Sequence, residues 1–526
     1  MLSNLTKYNF NYEWIFKKAS AFPLDKALDA HKDVNGRYFY EKEYVLDGWK
    51  EVSLPHTFND EDAFVSRIAD HGSEYDRTFS FYRKNFVLKK ENEGSKVIIE
   101  FEGIRQTAYV YINGKMAGFS ENGVAPFALD ITDYVSFDEV NLIAIATDNT
   151  SSRNVNECAA ETPNKPDVEP GYYSVKLTNN TVIPEERQGT GFLWNCNDFN
   201  PSFGGITRNV WLHIKNPVYL TLPVYSNLQT KGVYVYATDF DIAAKQAVIN
   251  VEAEIKNESD SHVDVSLLVE LFNHKGEKVT EFTSTNALIP AKREEVPPLT
   301  ITPEDAYVWD EEQKKYVAVE EEDKVLPTET KSKNVYKLLA AAAVSDLRFW
   351  CDYDPYLYDV YVTLVVNGDE KDTVKIQTGF RKVSYDKDKG LFINDKYVWL
   401  TGYAQRSTNE WAAVGMAPDW LKDFDAKLIR ESNANFIRWM HVAACPADIR
   451  SCDRYGIVCV QPAGDKERHV YGRQWDQRVE LMRDVIIYYR NNPSIIFWET
   501  GNNAVSKEHM REMTLLKREL DPTGGR

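Results

Sequence analysis

The sequence lacks the hydrophobic segments that place a protein in or across a membrane. No run of about 18 apolar residues occurs among its 526 residues, and a membrane-spanning helix needs roughly that many. The N-terminal stretch Met1–Lys7 has no apolar core of the kind that a signal peptide carries. We therefore predict a soluble chain with no membrane partner, and both cytoplasm and periplasm remain compatible locations.

Positive charge is also in short supply. The chain holds 62 Lys and Arg residues against 80 Asp and Glu residues, which gives a formal net charge of −18. A chain this acidic is repelled by phosphate backbones and by anionic lipid surfaces. This balance excludes nucleic acid as the main partner.

Cysteine is sparse and scattered. The six cysteines form no Cys-x-x-Cys pair and no Cys/His cluster with the spacing of a zinc site. Cys445, Cys452 and Cys459 recur every seven residues, and we interpret them as small core residues. The sequence predicts no disulfide framework, no metal-ligand cluster and no cofactor.

Aromatic residues, in contrast, are plentiful. The chain has 30 Tyr, 25 Phe and 12 Trp, and its length predicts several domains. Flat aromatic rings suit the faces of sugars, although burial preferences place most of these side chains in cores.

Residues 1 to about 215 have the pattern of an all-β domain. Short alternating runs occur at Phe81–Leu88, Lys96–Phe101 and Thr107–Ile112. Asn113-Gly114 follows the third run and is a strong hairpin signal. Evenly spaced strands and turns of this kind predict a jelly-roll sandwich.

A series of motifs in this region carries a family resemblance. In chain order they are Trp49–Asn59, Phe101–Gly103, Tyr111–Gly114, Pro126–Thr132, Asn141–Ile145 and Phe203–Leu212. Together they resemble the sugar-binding jelly-roll domain of glycoside hydrolase family 2, which contains β-galactosidases, β-mannosidases and β-glucuronidases. The resemblance implies a carbohydrate substrate.

Residues 216 to 380 are again rich in β-strand patterns. Val248–Lys256 and Val263–Phe272 alternate. Phe349–Tyr358 and Gly379–Arg381 are similar to the end of the immunoglobulin-like domain of the same family. We interpret this region as an immunoglobulin-like β-sandwich with a spacer role.

From residue 381 to 526 the pattern changes to alternating strands and helices. The predicted strands and helices, in order, are Tyr397–Tyr403, Pro418–Ser432, Asn435–His441, Pro446–Tyr455, Gly456–Pro462, Trp475–Arg490, a strand from Ser494 and a helix at about Lys507–Leu520. Connections of this length require parallel strands. Four such units make the first half of a (β/α)8 TIM barrel, the family's catalytic domain.

Half a barrel has a physical consequence. A closed barrel takes about 250 residues and eight strands, and an open four-stranded sheet leaves two unpaired edges. We expect the chain to be part of a longer enzyme and to be inactive by itself. A half barrel that dimerises is the alternative, so a homo-oligomer stays possible.

The candidate catalytic position lies at the end of the fourth barrel strand. Family members are retaining glycosidases, and their acid/base is the Glu of an Asn-Glu pair in a frame like Trp-x-x-Gly-Asn-Glu. Here the frame runs from Trp498 to Asn503. Asn502 matches the family's sugar-contacting Asn, but Asn503 stands where the acid/base is expected. An amide cannot act as a general acid, and the nucleophile is expected after the seventh strand.

Glu499 is the candidate substitute for the acid/base. Its neighbour Trp498 should face the opposite side of the strand, which directs Glu499 into the barrel. It lies four residues before Asn503, however, and so sits deeper unless a bulge raises it. A catalytic role and a structural or sugar-binding role are both open.

Other residues at strand ends fit a sugar site. Arg438 and His441 match the family's Arg and His on the second strand. Gln405 and Arg406 follow the first strand, where the family more often has Arg-His. Trp439 suits sugar stacking and core packing equally well.

The resemblance implies a retaining, exo-acting glycoside hydrolase, β-galactosidase-like, that acts on terminal β-linked sugars of polysaccharide fragments. The alternative is a non-catalytic carbohydrate-binding homologue that has lost its acid/base.

Overall fold

The computed structural model describes residues 6–19, 24–59, 78–105, 107–149, 203–292, 307–310, 315–318, 334–405, 407, 418–440, 442–462, 473–502 and 505–522. At 24–26, 307–310, 315–318, 473 and 474 it describes the backbone alone. Among these residues, no helix is long and apolar enough to cross a membrane.

The N-terminal domain is a sandwich of two antiparallel sheets, ordered β1-β10-β5-β8 and β3-β2-β4-β9-β6-β7. Its elements are β1 Lys7–Asn9, β2 Trp14–Lys18, α1 Leu24–Ala30, β3 Lys50–Val52, β4 Phe79–Val87, β5 Lys96–Phe101, β6 Thr107–Ile112, β7 Lys115–Ser120, β8 Phe127–Asp130, β9 Val140–Asp148 and β10 Val210–Lys215. Residues that alternate along these strands form a core between the two sheets, with Trp14 and Phe101 fully buried. The predicted hairpin is present: Asn113 and Gly114 both have positive φ between β6 and β7, as a two-residue turn requires.

The second domain is also an antiparallel sandwich around one apolar core. Its strands are β11 Val218–Leu220, β12 Val233–Asp241, β13 Gln246–Asn257, β14 Val263–Phe272, β15 Lys278–Thr283, β16 Ala287–Ile289, β19 Val335–Val344, β20 Tyr358–Val366 and β21 Asp369–Thr378, with a separate two-stranded pair β17 Tyr307–Asp310 and β18 Lys315–Ala318. Val265, Leu267, Val269 and Leu271 of β14 alternate into this core and are almost completely buried. The immunoglobulin-like sandwich expected from the sequence is therefore present.

The third region carries four parallel strands in the order β25-β26-β27-β28. Its elements are the hairpin strands β22 Val383–Asp386, β23 Gly390–Ile393 and β24 Lys396–Tyr397, then β25 Gly402–Gln405, α2 Asp419–Glu431, β26 Phe436–Trp439, α3 Pro446–Tyr455, β27 Val458–Pro462, α4 Arg473–Tyr489, β28 Ile495–Glu499 and α5 Lys507–Leu520. This order is the first half of a (β/α)8 barrel, as the sequence predicts.

One barrel strand begins later than the sequence indicates. The predicted first strand, Tyr397–Tyr403, is wrong over most of its length because Tyr397 pairs with β23 and Val398 packs in the core beneath the barrel strands. The true strand starts at Gly402, where a Cβ would overlap the carbonyl oxygen of Phe436. Only glycine allows this close approach of β25 to β26.

The two faces of the barrel sheet have different neighbours. Ile437, Cys459 and Ile495 pack outward against the helices. Phe436 and Val458 face the other way and contact the hairpin β22–β24, which covers the bottom of the sheet. On the same inner face, the side chains near the carboxyl ends of the strands are not covered by the hairpin and can form a site.

The three domains are joined by buried polar contacts. Lys215 of the first domain pairs with Asp372 of the second at 2.7 Å, and Tyr488 of α4 donates a hydrogen bond to Glu100 of β5 at 2.9 Å. The Asn491 side chain accepts a hydrogen bond from the Val235 amide at 2.8 Å and donates one to the Val233 carbonyl at 2.9 Å. Because these groups are buried or half-buried, each contact helps to fix the relative position of two domains.

Asp484 of α4 supplies a further contact, and it is sensitive to pH. Its carboxyl group contacts the hydroxyl of Ser226 and accepts a hydrogen bond from the Ser226 amide at 3.2 Å. Burial raises the pKa of Asp484 to about 7, although Ser226 and Arg483 lower it in part. The folded state thus holds this proton more tightly than the unfolded chain, whose value is near 3.8.

We therefore predict that Asp484→Asn stabilises the protein in mild base. The protonated Asp484 contributes on the order of 4 kcal/mol to the free energy of unfolding. This contribution is fully present below pH 4 and is lost as the pH rises through 7. The variant should melt at the same temperature as the wild type near pH 4 and several degrees higher at pH 8, measured by calorimetry. A variant that melts lower at pH 8 would show that the ionised carboxylate is the stabilising form.

Candidate active site

The carboxyl ends of β26 and β28 place three polar side chains in contact. Arg438 donates two hydrogen bonds to Glu499, from Nε to Oε2 and from Nη2 to Oε1, each at 2.6 Å. Its Nη2 also donates to Oδ1 of Asn502 at 3.0 Å. The arrangement comes from parallel pairing: β26 and β28 flank β27, and Arg438 and Glu499 both lie on the inner face. Parallel barrels carry their chemistry at this end of the strands.

This ion pair is partly open to solvent. The Glu499 side chain is 12% exposed and that of Arg438 is 30% exposed. Hydrogen bonding to Glu499 raises the pKa of Arg438 above its already high value, with burial as the opposing cause. Paired, fork-like hydrogen bonds of this geometry are the strong form of a charge-assisted contact.

The contact constrains what Glu499 can do. A general acid must direct one of its carboxyl oxygens at the leaving group. Both oxygens are engaged at 2.6 Å, so neither is directed at a leaving group. These contacts favour the structural or sugar-binding role over the catalytic one.

Trp498 takes the opposite side of β28. Its indole Nε1 donates to Asp521 at 2.9 Å, and its ring packs against the residues of α4 and α5. Glu499 consequently faces inward. The register between β27 and β28 shifts lower in the strand, at Ile496, which lies between the pairs Cys459–Ile495 and Val460–Phe497.

Trp439 lies in the core. Its side chain is 4% exposed and packs with Ile437 among the residues beneath the helices. It faces away from Arg438, so this placement agrees with core packing and not with sugar stacking.

The remaining predicted residues stand as follows. Gln405 is the last residue of β25, and its carbonyl accepts a hydrogen bond from the Met440 amide at 2.7 Å. Arg406, His441 and Asn503 lie outside the described residues. No group of three or more His, Cys, Asp or Glu side chains that could hold a metal ion occurs in the described part of the chain.

Sequence reasoning missed the residues that hold the loops at the strand ends. Gln461 of β27 is completely buried, and its amide bonds both backbone groups of Ala444, at 3.1 and 3.2 Å. The Tyr489 hydroxyl also donates a hydrogen bond to the Ala444 carbonyl, at 3.0 Å. A capping box at the start of α3, with Cys445 at the N-cap and Asp448 at N3, was the one local signal in the sequence.

In this chain two β-sandwich domains precede the first half of a barrel, and the comparisons with known proteins agree with this architecture. Residues 59–200 match the model described as "Glycosyl hydrolase 2 galactose-binding domain-like", 233–381 match "Glycosyl hydrolases family 2", and 386–524 match "Glycosyl hydrolases family 2, TIM barrel domain". The chain belongs to glycoside hydrolase family 2.

Curated relatives carry names of two specificities. The chain is 33% identical to a β-glucuronidase of Formosa agariphila, across 100% of this chain and 45% of that protein. It is 24% identical to a β-galactosidase of Bacteroides ovatus, across 87% of this chain and 44% of that protein. The chain therefore spans less than half the length of these relatives.

A solved structure shows the same architecture. It is described as a β-glucuronidase from glycoside hydrolase family 2, with a TM-score of 0.75 and 32% identity, across 100% of this chain and 46% of that one.

Proposed function

We propose that this chain forms the sugar-binding half of the active site in a retaining, exo-acting β-glycosidase. The observation that carries the proposal is the Arg438–Glu499–Asn502 array at the carboxyl ends of parallel strands in a family 2 chain. Its donors and acceptors are of the kind that bind sugar hydroxyls. The nucleophile would come from the second half of the barrel, and the whole protein would need all eight strands.

The substrate we favour is a terminal β-glucuronoside of a polysaccharide-derived oligosaccharide. Support comes from the relative named β-glucuronidase, which is 33% identical. The sequence alone led to a β-galactoside, and relatives named β-galactosidase at 24% and 23% identity keep it as the second candidate. The two sugars differ at C6, where a carboxylate replaces a hydroxymethyl group, and in the orientation of the C4 hydroxyl.

The test uses a protein that carries this chain together with four further βα units. Purified enzyme is assayed with aryl β-glucuronide and aryl β-galactoside, and anomeric configuration is followed by NMR. We expect turnover of the glucuronide with retention of configuration. Faster turnover of the galactoside would show that the substrate is a β-galactoside and not a β-glucuronoside. Binding without turnover of either substrate would establish the non-catalytic homologue.

The 526-residue chain alone should behave differently. Helix α2 exposes Trp420, Phe424 and Leu428 at 66, 41 and 45%, and α5 exposes Met510 and Leu515 at 51 and 54%. Three apolar side chains spaced four residues apart lie on one helix face and form a surface that another element would cover.

We predict that the isolated chain binds a hydrophobic dye, associates with itself and hydrolyses no aryl β-glycoside. Dye fluorescence, light scattering and a turnover assay measure the three properties. The matched control replaces Trp420 and Phe424 with Glu, which should reduce dye binding and association. A monodisperse chain with robust turnover would contradict both the half-site interpretation and the need for further strands.

A further inference from the structure

A buried polar cluster lies behind the ends of the first two barrel strands. It consists of Ser407, Lys422 of α2 and Asp448 of α3, whose residues are 7, 6 and 3% exposed. None of the three reaches the Arg438–Glu499 pair in any described contact. A lysine and an aspartate this deeply buried have to be explained by their partners.

The contacts in this cluster are complete and directional. Lys422 Nζ donates to the Ser407 carbonyl at 2.7 Å and pairs with Asp448 Oδ1 at 3.1 Å. The Ser407 hydroxyl donates to Asp448 Oδ2 at 2.6 Å. The same Oδ2 accepts the Cys445 amide at 3.1 Å. Burial lowers the pKa of Lys422, but Asp448 and Cys445 outweigh it and the net shift is upward, so the lysine stays charged.

These contacts join two chain segments that are distant in sequence. Ser407 follows Gln405, the last residue of β25, by two positions. Cys445 ends the segment that connects β26 to α3. One carboxylate, Asp448, therefore holds the exit of the first strand through Ser407 and the exit of the second through Cys445.

Stability alone does not account for such a cluster. A buried ion pair costs about as much in lost hydration as it returns, and apolar residues of the same volume often stabilise a protein equally well. A hydrogen-bonded pair does, however, fix distances and directions, which apolar packing does not. The segment after β26 is held on its other side too, because Gln461 binds both backbone groups of Ala444.

We propose that Lys422, Asp448 and Ser407 are positioning residues that set the spacing between the exits of β25 and β26, and so the width of the sugar subsite. The proposal rests on the function proposed above. Gln405 at one exit and Arg438 near the other are the side chains whose separation it sets.

The test replaces Ser407 with Ala, which removes the hydroxyl's hydrogen bonds with Asp448 and with the Cys445 amide. The bond from Lys422 to the Ser407 carbonyl and the Lys422–Asp448 pair stay in place. The matched control is Ser451→Ala on α3, because Ser451 is equally buried and hydrogen-bonds to Asp423 and to Ala447. Both variants are made in the protein with the completed barrel. Two properties are measured: amide hydrogen exchange of peptides that cover 402–405 and 442–446, and KM and kcat on the aryl β-glycoside.

We expect Ser407→Ala to speed exchange in the 402–405 peptide by about 10-fold. It should raise KM by roughly 10-fold with little change in kcat, because ground-state and transition-state binding weaken together. Ser451→Ala should change neither property even if it lowers the melting temperature equally. Unchanged exchange in Ser407→Ala overturns the proposal, and so does faster exchange with unchanged KM. Faster exchange in Ser407→Ala, together with a wild type that turns over no glycoside, would refute the enzyme activity and leave the positioning of the strand ends in place.

Discussion

In a protein with the completed barrel, Glu499→Gln is expected to lower kcat/KM by about 10²-fold, and by the same factor on easy and difficult substrates. Glutamine keeps the size of the side chain, but it has no charge and its amide nitrogen cannot accept a hydrogen bond. Arg438 therefore loses the opposing charge and at least one of its two hydrogen bonds of 2.6 Å. Arg438 and Asn502 then shift, and a displacement of about 1 Å in a positioning group can cost on the order of 10²-fold in rate.

Two substrates separate this result from the loss of an acid. An aryl glycoside with an activated leaving group needs little protonation, whereas a natural disaccharide needs a general acid worth about 10²–10⁴-fold. Equal losses on both support a positioning role for Glu499. Collapse on the disaccharide alone, with azide rescue on the aryl glycoside, would show that Glu499 is the acid. Glu431→Gln is the matched control, since Glu431 pairs with Lys427 on the exposed face of α2.

The second large effect that we expect is an increase in the rate of hydrolysis. Asn503→Glu places a carboxyl group where family 2 enzymes carry their acid/base, and we expect it to raise the rate on the disaccharide by about 10²-fold. On an activated aryl glycoside, kcat/KM should change little, because the leaving group departs unprotonated. Its kcat should rise, because the new carboxylate also serves as the base that hydrolyses the glycosyl intermediate.

Azide provides an independent measure for the same position. A retaining enzyme without a base hydrolyses its glycosyl intermediate slowly, so azide should accelerate the wild type on the activated substrate and form a glycosyl azide. The Asn503→Glu variant should lose this acceleration. Asn503→Gln, which adds length but no ionisable group, is the control. A wild type that cleaves the disaccharide as fast as Asn503→Glu would show that another residue already supplies the proton.

Much of the fold follows from local patterns. Strands β5, β6 and β14 begin and end at the predicted residues. Burial alternates along most of β14, whereas β6 is buried on both faces. The helix at Pro446–Tyr455 also agrees with its prediction.

The first barrel strand shows where such patterns are insufficient. Tyr397 to Leu400 form an apolar-rich run that looks like a strand. Tyr397 instead pairs with β23, and Val398 and Leu400 pack in the core beneath the barrel. The deciding fact is the contact between Gly402 and the Phe436 backbone, which involves two residues far apart in the chain. No local pattern contains it.

For the site, the sequence by itself determined the family resemblance, the residue types at the strand ends and the amide at position 503. Only the tertiary structure decided that Arg438 holds both oxygens of Glu499 and that Trp439 faces the helices. It alone showed that Asp448 joins two strand exits. The physical reason is that a side chain's chemistry is local, whereas its partner and its accessible atoms depend on which distant segments pack beside it.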